Sequence, residues 1–152
     1  MTKIARLENF LLTLWVGGMW AIGYMAVPLL FKLLEDRKLA GSVAGEMFML
    51  ISIIGLVCSA ILLATQMSRV GWRQWRVWCL FGMFIMVAVN LFALQPLMAD
   101  LKAQGLIEGS EAAKQFGILH GVSSVLYLMT SLCGLALVVA GLRRMTPSTA
   151  HC

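Results

Sequence analysis

The side chains able to do chemistry in this chain are few, and they lie within apolar sequence. His120 is an ionisable residue four positions into a long apolar segment. Stepping by four, three and four from it reaches Ser124, Tyr127 and Ser131, a polar stripe on one helical face. Ionisable groups are costly inside a membrane and often mark a site. An imidazole there can ligate haem iron or another metal, relay a proton, or hydrogen-bond a neighbouring helix near the interface. Asn90 is the one strongly polar residue inside the third apolar segment, and it shares a face with Met83 and Met86. Thioether sulfur suits Cu(I), so His120, Met83 and Met86 are candidate metal ligands; methionine is equally a flexible core filler. In the first segment Thr13, Gly17, Trp20, Tyr24 and Pro28 recur at helical spacing. That face either lines a site with Trp20 and Tyr24 or packs against another helix. Glu46 stands at the mouth of the second segment, as a first-turn acid complementing the helix dipole or as a working carboxylate. Ser124 is four residues from His120, but no acid sits at helical spacing from the histidine to orient it as a base, which argues against hydrolytic chemistry.

Four apolar segments must position these groups. Phe10 to Phe31 is 22 residues without a charge, a helix of roughly 33 Å, enough to cross a hydrocarbon core of about 30 Å. Met47–Met67, Val77–Met98 and Phe116–Leu142 repeat the theme. The spacing predicts an all-α integral membrane protein. Its expected form is an antiparallel bundle of four transmembrane helices near 8–34, 42–67, 74–98 and 112–143. Residues 1–145 then form one domain and 146–152 a short flexible tail. The basic head before Phe10 resembles a signal peptide, but the apolar run is too long and has no small-residue cleavage site at its end. The small residues Gly17, Gly18, Gly41, Gly45, Gly117 and Gly121 are read as close-approach positions between helices. Pro28 should kink or loosen the last turns of the first helix. Lys32 and Asp36, four apart, could pair on a helix continuing past the membrane.

Composition agrees. The chain is 61% hydrophobic and only 12% charged, with a net charge of +5. A 152-residue soluble protein has too little interior for that much apolar surface. The basic residues sit at segment ends, where they meet anionic lipid and set orientation, so nucleic acid is not an expected partner. With the N-terminus inside, one side holds Lys3, Arg6, Arg69, Arg73, Arg76, Arg143 and Arg144, against Lys32, Arg37, Lys38, Lys102 and Lys114 on the other. That asymmetry places both termini in the cytoplasm. Cys58, Cys79, Cys133 and Cys152 include no CxxC pair and read as packing residues.

The stretches LWVGGMWAIGYMAVPLLFKLLEDRKLAGSVAGEMF, VNLFALQPLMADLK and FGILHGVSSVLYLMT resemble the bacterial branch of the transmembrane protein 205-like family. Gly18, Pro28, Phe31, Gly41, Asn90, Pro96, His120 and Gly121 are among its landmarks. The resemblance implies a four-helix inner-membrane protein without an agreed activity. A more distant similarity, in plan and in the glycine–proline pattern of the first helix, is to copper-resistance membrane proteins and haem-binding protoporphyrinogen oxidases. Those oxidases carry a histidine early in the first helix, where this chain has Glu8, Asn9 and Thr13.

The sequence thus points first to a non-enzymatic scaffold or accessory subunit of the inner membrane, without a cofactor. It would pack with itself or within a larger complex in the lipid bilayer. The alternatives are a metal or small-molecule transporter using His120, Asn90 and the methionines, and a haem-binding redox protein, with haem or copper as cofactor. Helices one, three and four are expected to bring Trp20, Asn90 and His120 to a shared interior.

Overall fold

The computed structural model describes residues 3–107 and 109–141. Arg143, Arg144, His151, Cys152 and the expected tail at 146–152 lie outside the described residues. Four helices account for nearly all of the rest: α1 (Lys3–Leu33), α2 (Arg37–Val70), α3 (Trp75–Ala103) and α4 (Glu111–Ala140). Each is long and apolar enough to cross a membrane, with mean hydropathies of 1.6, 2.7, 2.3 and 2.1 over the best stretch. The protein is therefore all-α and multi-pass, and no strand occurs among the described residues. Short connections make sequential helices antiparallel neighbours, and α4 closes the ring against α1.

Side-chain caps rather than hydropathy decide where α2 and α4 begin, ahead of their apolar segments. α2 begins at Arg37, five residues before the expected start. Asp36 has an extended backbone (φ −80°, ψ 102°), and its side chain accepts hydrogen bonds from the backbone N–H of Lys38 at 2.8 Å and Leu39 at 3.2 Å. That is N-cap chemistry. It commits Asp36 to the cap and breaks the helix between Leu33 and Arg37, so the expected Lys32–Asp36 pair does not form. Glu46 then lies about two and a half turns inside α2, exposed, and not in its first turn. Ser110 caps α4 as its sequence position suggests, accepting from Ala113 N–H at 3.2 Å. At the far end of α4, Arg76 donates from Nη2 to the Ala140 carbonyl at 3.2 Å, a cation placed on a helix C-terminus.

Two helices are not uniformly α. Ala21–Ala26 in α1 and Asn90–Leu94 in α3 form wide π turns, with Val27 N–H bonded to Ile22 O and Gln95 N–H to Asn90 O, five residues back. Each precedes a proline, Pro28 or Pro96. A proline has no N–H, and its ring collides with the carbonyl four residues back; widening the preceding turn relieves that collision. The loosening expected at Pro28 thus takes the form of a wide turn.

The core runs along the bundle axis. It holds Leu12, Trp15, Val16 and Met19 of α1, Ile51, Cys58 and Leu62 of α2, Leu80, Met83 and Val87 of α3, and Leu137 of α4. Two glycines permit it. A Cβ on Gly55 would collide with the Trp15 indole, 2.7 Å from Cε2, and one on Gly134 would meet Val16 and, at 3.2 Å, Met83 Cε.

Candidate functional site

Polar groups gather at the level of the two π turns. Asn90 is buried and its Oδ1 accepts from Ser123 Oγ of α4 at 2.8 Å. One turn or two away, α4 turns toward α1. The Tyr127 hydroxyl donates to the Met19 carbonyl at 2.6 Å, and the Tyr24 and Ser131 hydroxyls are hydrogen-bonded at 2.9 Å. Gly23 lies flat against the Tyr127 ring; a Cβ there would stand 3.1 Å from Cζ. Trp20 packs against Tyr24 at 4.9 Å between centroids with the rings tilted by 48°, and Phe48 of α2 meets Tyr127 edge-on at 5.1 Å. Between these helices is a cavity of about 10 Å³ for the centre of a water molecule. Trp15, Met19, Ser52, Met86, Asn90 and Tyr127 contribute to its lining.

The expected convergence of Trp20, Asn90 and His120 does not occur. Asn90 is interior, but His120 is exposed on the outside of α4, its ring stacked on Phe116 at 5.9 Å and 10°. Trp20 is 37% exposed. Geometry explains the difference. A helix advances about 100° per residue, so the stripe from His120 to Ser131 keeps to one side of α4, roughly 70–80° around from the side that faces the bundle. The inward face is centred on Ser123, Thr130, Gly134 and Leu137. His120 and Ser124 fall outside it, and Ser124 bonds back to the His120 carbonyl at 2.8 Å. Ser131 is buried, with Tyr24 bonded to it.

The candidate metal ligands do not meet either. Met83 is fully buried against Gly134 and Met86 lines the cavity. His120 precedes Gly134 by 14 residues, about 21 Å along the helix. The close-approach glycines divide. Gly18 is tight against Ile51, with 2.8 Å to Cδ1, and Gly41 and Gly45 meet Phe31 and Lys102 at 3.9 and 3.7 Å. Gly17, Gly117 and Gly121 have nothing within 4 Å of a built Cβ, so they do not pack inside this chain.

At the other end of the bundle lies a group that hydropathy conceals. Glu8 is 3% exposed, accepting from Gln66 Nε2 at 3.1 Å and pairing with Arg69 Nη1 at 3.4 Å. Glu8 stands just ahead of the apolar run, where hydropathy gives no sign of burial. Its signal was spacing: Ala5, Glu8, Leu12, Trp15 and Met19 step by three, four, three and four and are all buried. That is the inward face of α1; Thr13, Gly17 and Trp20 mark the outward one, and Tyr24, though half-exposed, reaches inward at its hydroxyl.

The chain belongs to the family of the Domain of unknown function (DUF4149), whose model matches residues 10–106, nearly all of α1 to α3. No curated protein and no solved structure matches it. Membership of an uncharacterised family is thereby established. The finer likenesses to transmembrane protein 205-like, copper-resistance and protoporphyrinogen oxidase proteins have no support in these comparisons.

Proposed function

We propose that the chain is a non-enzymatic scaffold or accessory subunit of the bacterial inner membrane, with both termini in the cytoplasm, that binds other membrane helices through the outer faces of α1 and α4. The observation that carries this is the outward direction of Gly17, Gly117 and Gly121, with Thr13 and Ser124 exposed beside them. Lipid tails are as apolar as leucine, so helices associate in a bilayer where small residues let backbones approach and polar side chains bond across. The axis of the bundle is filled by Trp15, Leu12, Leu62, Leu80, Met83 and Leu137, each at most 2% exposed, which suits a rigid element better than a conduit. Orientation rests on the seven basic residues of one side against five on the other.

A second reading, a carrier of a metal or small polar solute, is favoured by the polar layer around Asn90 and by the π turns beside it, which often accompany functional sites. One pair of measurements separates the two. In proteoliposomes, Gly117→Leu and Gly121→Leu should abolish association with a second copy or a native complex, read by energy transfer or native gel migration, with the monomer still folded. Unchanged association, together with solute uptake that Asn90→Leu abolishes, would favour the carrier.

A further inference from the structure

The polar layer contains more hydrogen-bonding capacity than the protein uses. Ser52 of α2 is 6% exposed, and its hydroxyl bonds to no described residue. Asn90 is also 6% exposed, and only one end of its amide, bonded to Ser123, is occupied among the described residues. This holds whichever way the amide is turned, because a serine hydroxyl both donates and accepts. Both side chains line the same cavity, at the start of the π turn of α3. Its volume, about 10 Å³, is about the least that can hold one water molecule. A buried polar group without a partner is expensive in a medium that offers none, and a water needs only two to four such groups to be held. The Tyr127 and Thr130 hydroxyls also line the cavity but already donate to the Met19 and Leu126 carbonyls. The remaining lining is apolar apart from the Trp15 indole N–H, so the Ser52 hydroxyl and the free end of the Asn90 amide are the hydroxyl and the amide whose hydrogen bonds no described residue fills.

We propose that this cavity is a specific site for a single water molecule that bridges the Ser52 hydroxyl to the free end of the Asn90 amide, and so ties α2 to α3 and, through Ser123, to α4. Three helices are then joined by one continuous hydrogen-bonded chain in the middle of the membrane. The site assigns a role to Ser52, which neither its sequence context nor any direct contact explains.

The test is water-to-protein magnetisation transfer by solid-state NMR in lipid bilayers. Asparagine-labelled protein has two side chains to observe, Asn9 and Asn90. Asn9, half-buried near the end of α1, serves as the internal control. The proposal predicts a water cross-peak at the Asn90 side-chain amide, lost in Ser52→Ala while the Asn9 peak is unchanged. No water transfer to Asn90 in the wild-type protein would overturn it, as would a cross-peak that Ser52→Ala leaves intact. Should that variant fail to fold, a structure of the wild-type protein fine enough to resolve ordered water decides. An oxygen within hydrogen-bonding distance of both side chains is the predicted result, and a dry cavity the contrary one.

Discussion

The hydroxyl of Tyr127 on α4 donates to the backbone carbonyl of Met19 on α1, at 2.6 Å, just before α1 widens into its π turn. Side-chain bonds to backbone carbonyls are one way a membrane helix tolerates an interruption, because freed carbonyls find no water in the hydrocarbon region. Gly23 is what lets the phenol reach so far, for its missing side chain leaves room for the ring.

Gly23→Ala should therefore destabilise the fold by about 1–3 kcal/mol, the usual cost of forcing atoms into a packed site. Tyr127→Phe keeps the ring and should cost only about 0.5–1.5 kcal/mol, the worth of one hydrogen bond. Tyr127→Leu should rescue part of the Gly23→Ala loss by vacating the clash. Reversible unfolding in mixed micelles measures all three, and strict additivity of Gly23→Ala and Tyr127→Leu would count against the packing described.

The Asn90–Ser123 bond, rather than a contact with His120, should hold the middle of α3 to α4. Asn90→Leu and Ser123→Ala should be non-additive, with a coupling of about 0.6–2 kcal/mol. Asn90→Leu and His120→Leu should simply add. A double-mutant cycle on each pair gives the answer.

Glu8 is the buried charge whose removal should matter most. Glu8→Ala leaves Gln66 without its acceptor and the half-exposed Arg69 without its partner. The loss should be about 1–3 kcal/mol, since Arg69 can still reach water. Glu8→Gln, which keeps the hydrogen bond to Gln66, should cost less. Thermal denaturation in detergent ranks the two.

Much of the architecture is legible in the sequence, for reasons that stop short of the interior. Four apolar runs of spanning length can only be four helices, because lipid leaves no other way to satisfy the backbone. Ser110 and the prolines announce their roles by residue type. Which way each helix faces is harder. In water an apolar stripe marks the inside, but in lipid both faces are apolar and the contrast disappears. Thr13, Gly17, Trp20 and Tyr24 form a clean helical stripe, yet three of the four project outward, and Tyr24 reaches inward only at its hydroxyl. The better signal was a misplaced charge, Glu8, in register with Leu12 and Trp15. His120 attracted attention by its chemistry, but its neighbour three residues on, the plainer Ser123, is the one that meets Asn90. The start of α2 was hidden because Asp36 looks like part of a charged helix until its backbone is seen to be extended.

The glycines offer a sharp contrast of inner and outer positions. Gly55→Leu should prevent stable folding, since even a Cβ there meets the Trp15 indole. Gly117→Ala should leave monomer stability unchanged or raise it by up to about 1 kcal/mol, since alanine is the better helix former and meets no neighbour there. Equal effects at the two sites, measured by unfolding in detergent, would contradict the arrangement of α2 and α4.

The central claim is that the outer faces of α1 and α4 are contact surfaces for other membrane helices. Site-specific photo-cross-linking in native membranes tests it most directly, with a photoreactive residue placed in turn at Gly17, Gly117 and Ser124, and at Val57 on the exposed side of α2 as the comparison. The account predicts discrete protein adducts from the first three positions and lipid adducts alone from Val57. Lipid adducts alone from all four positions would contradict it.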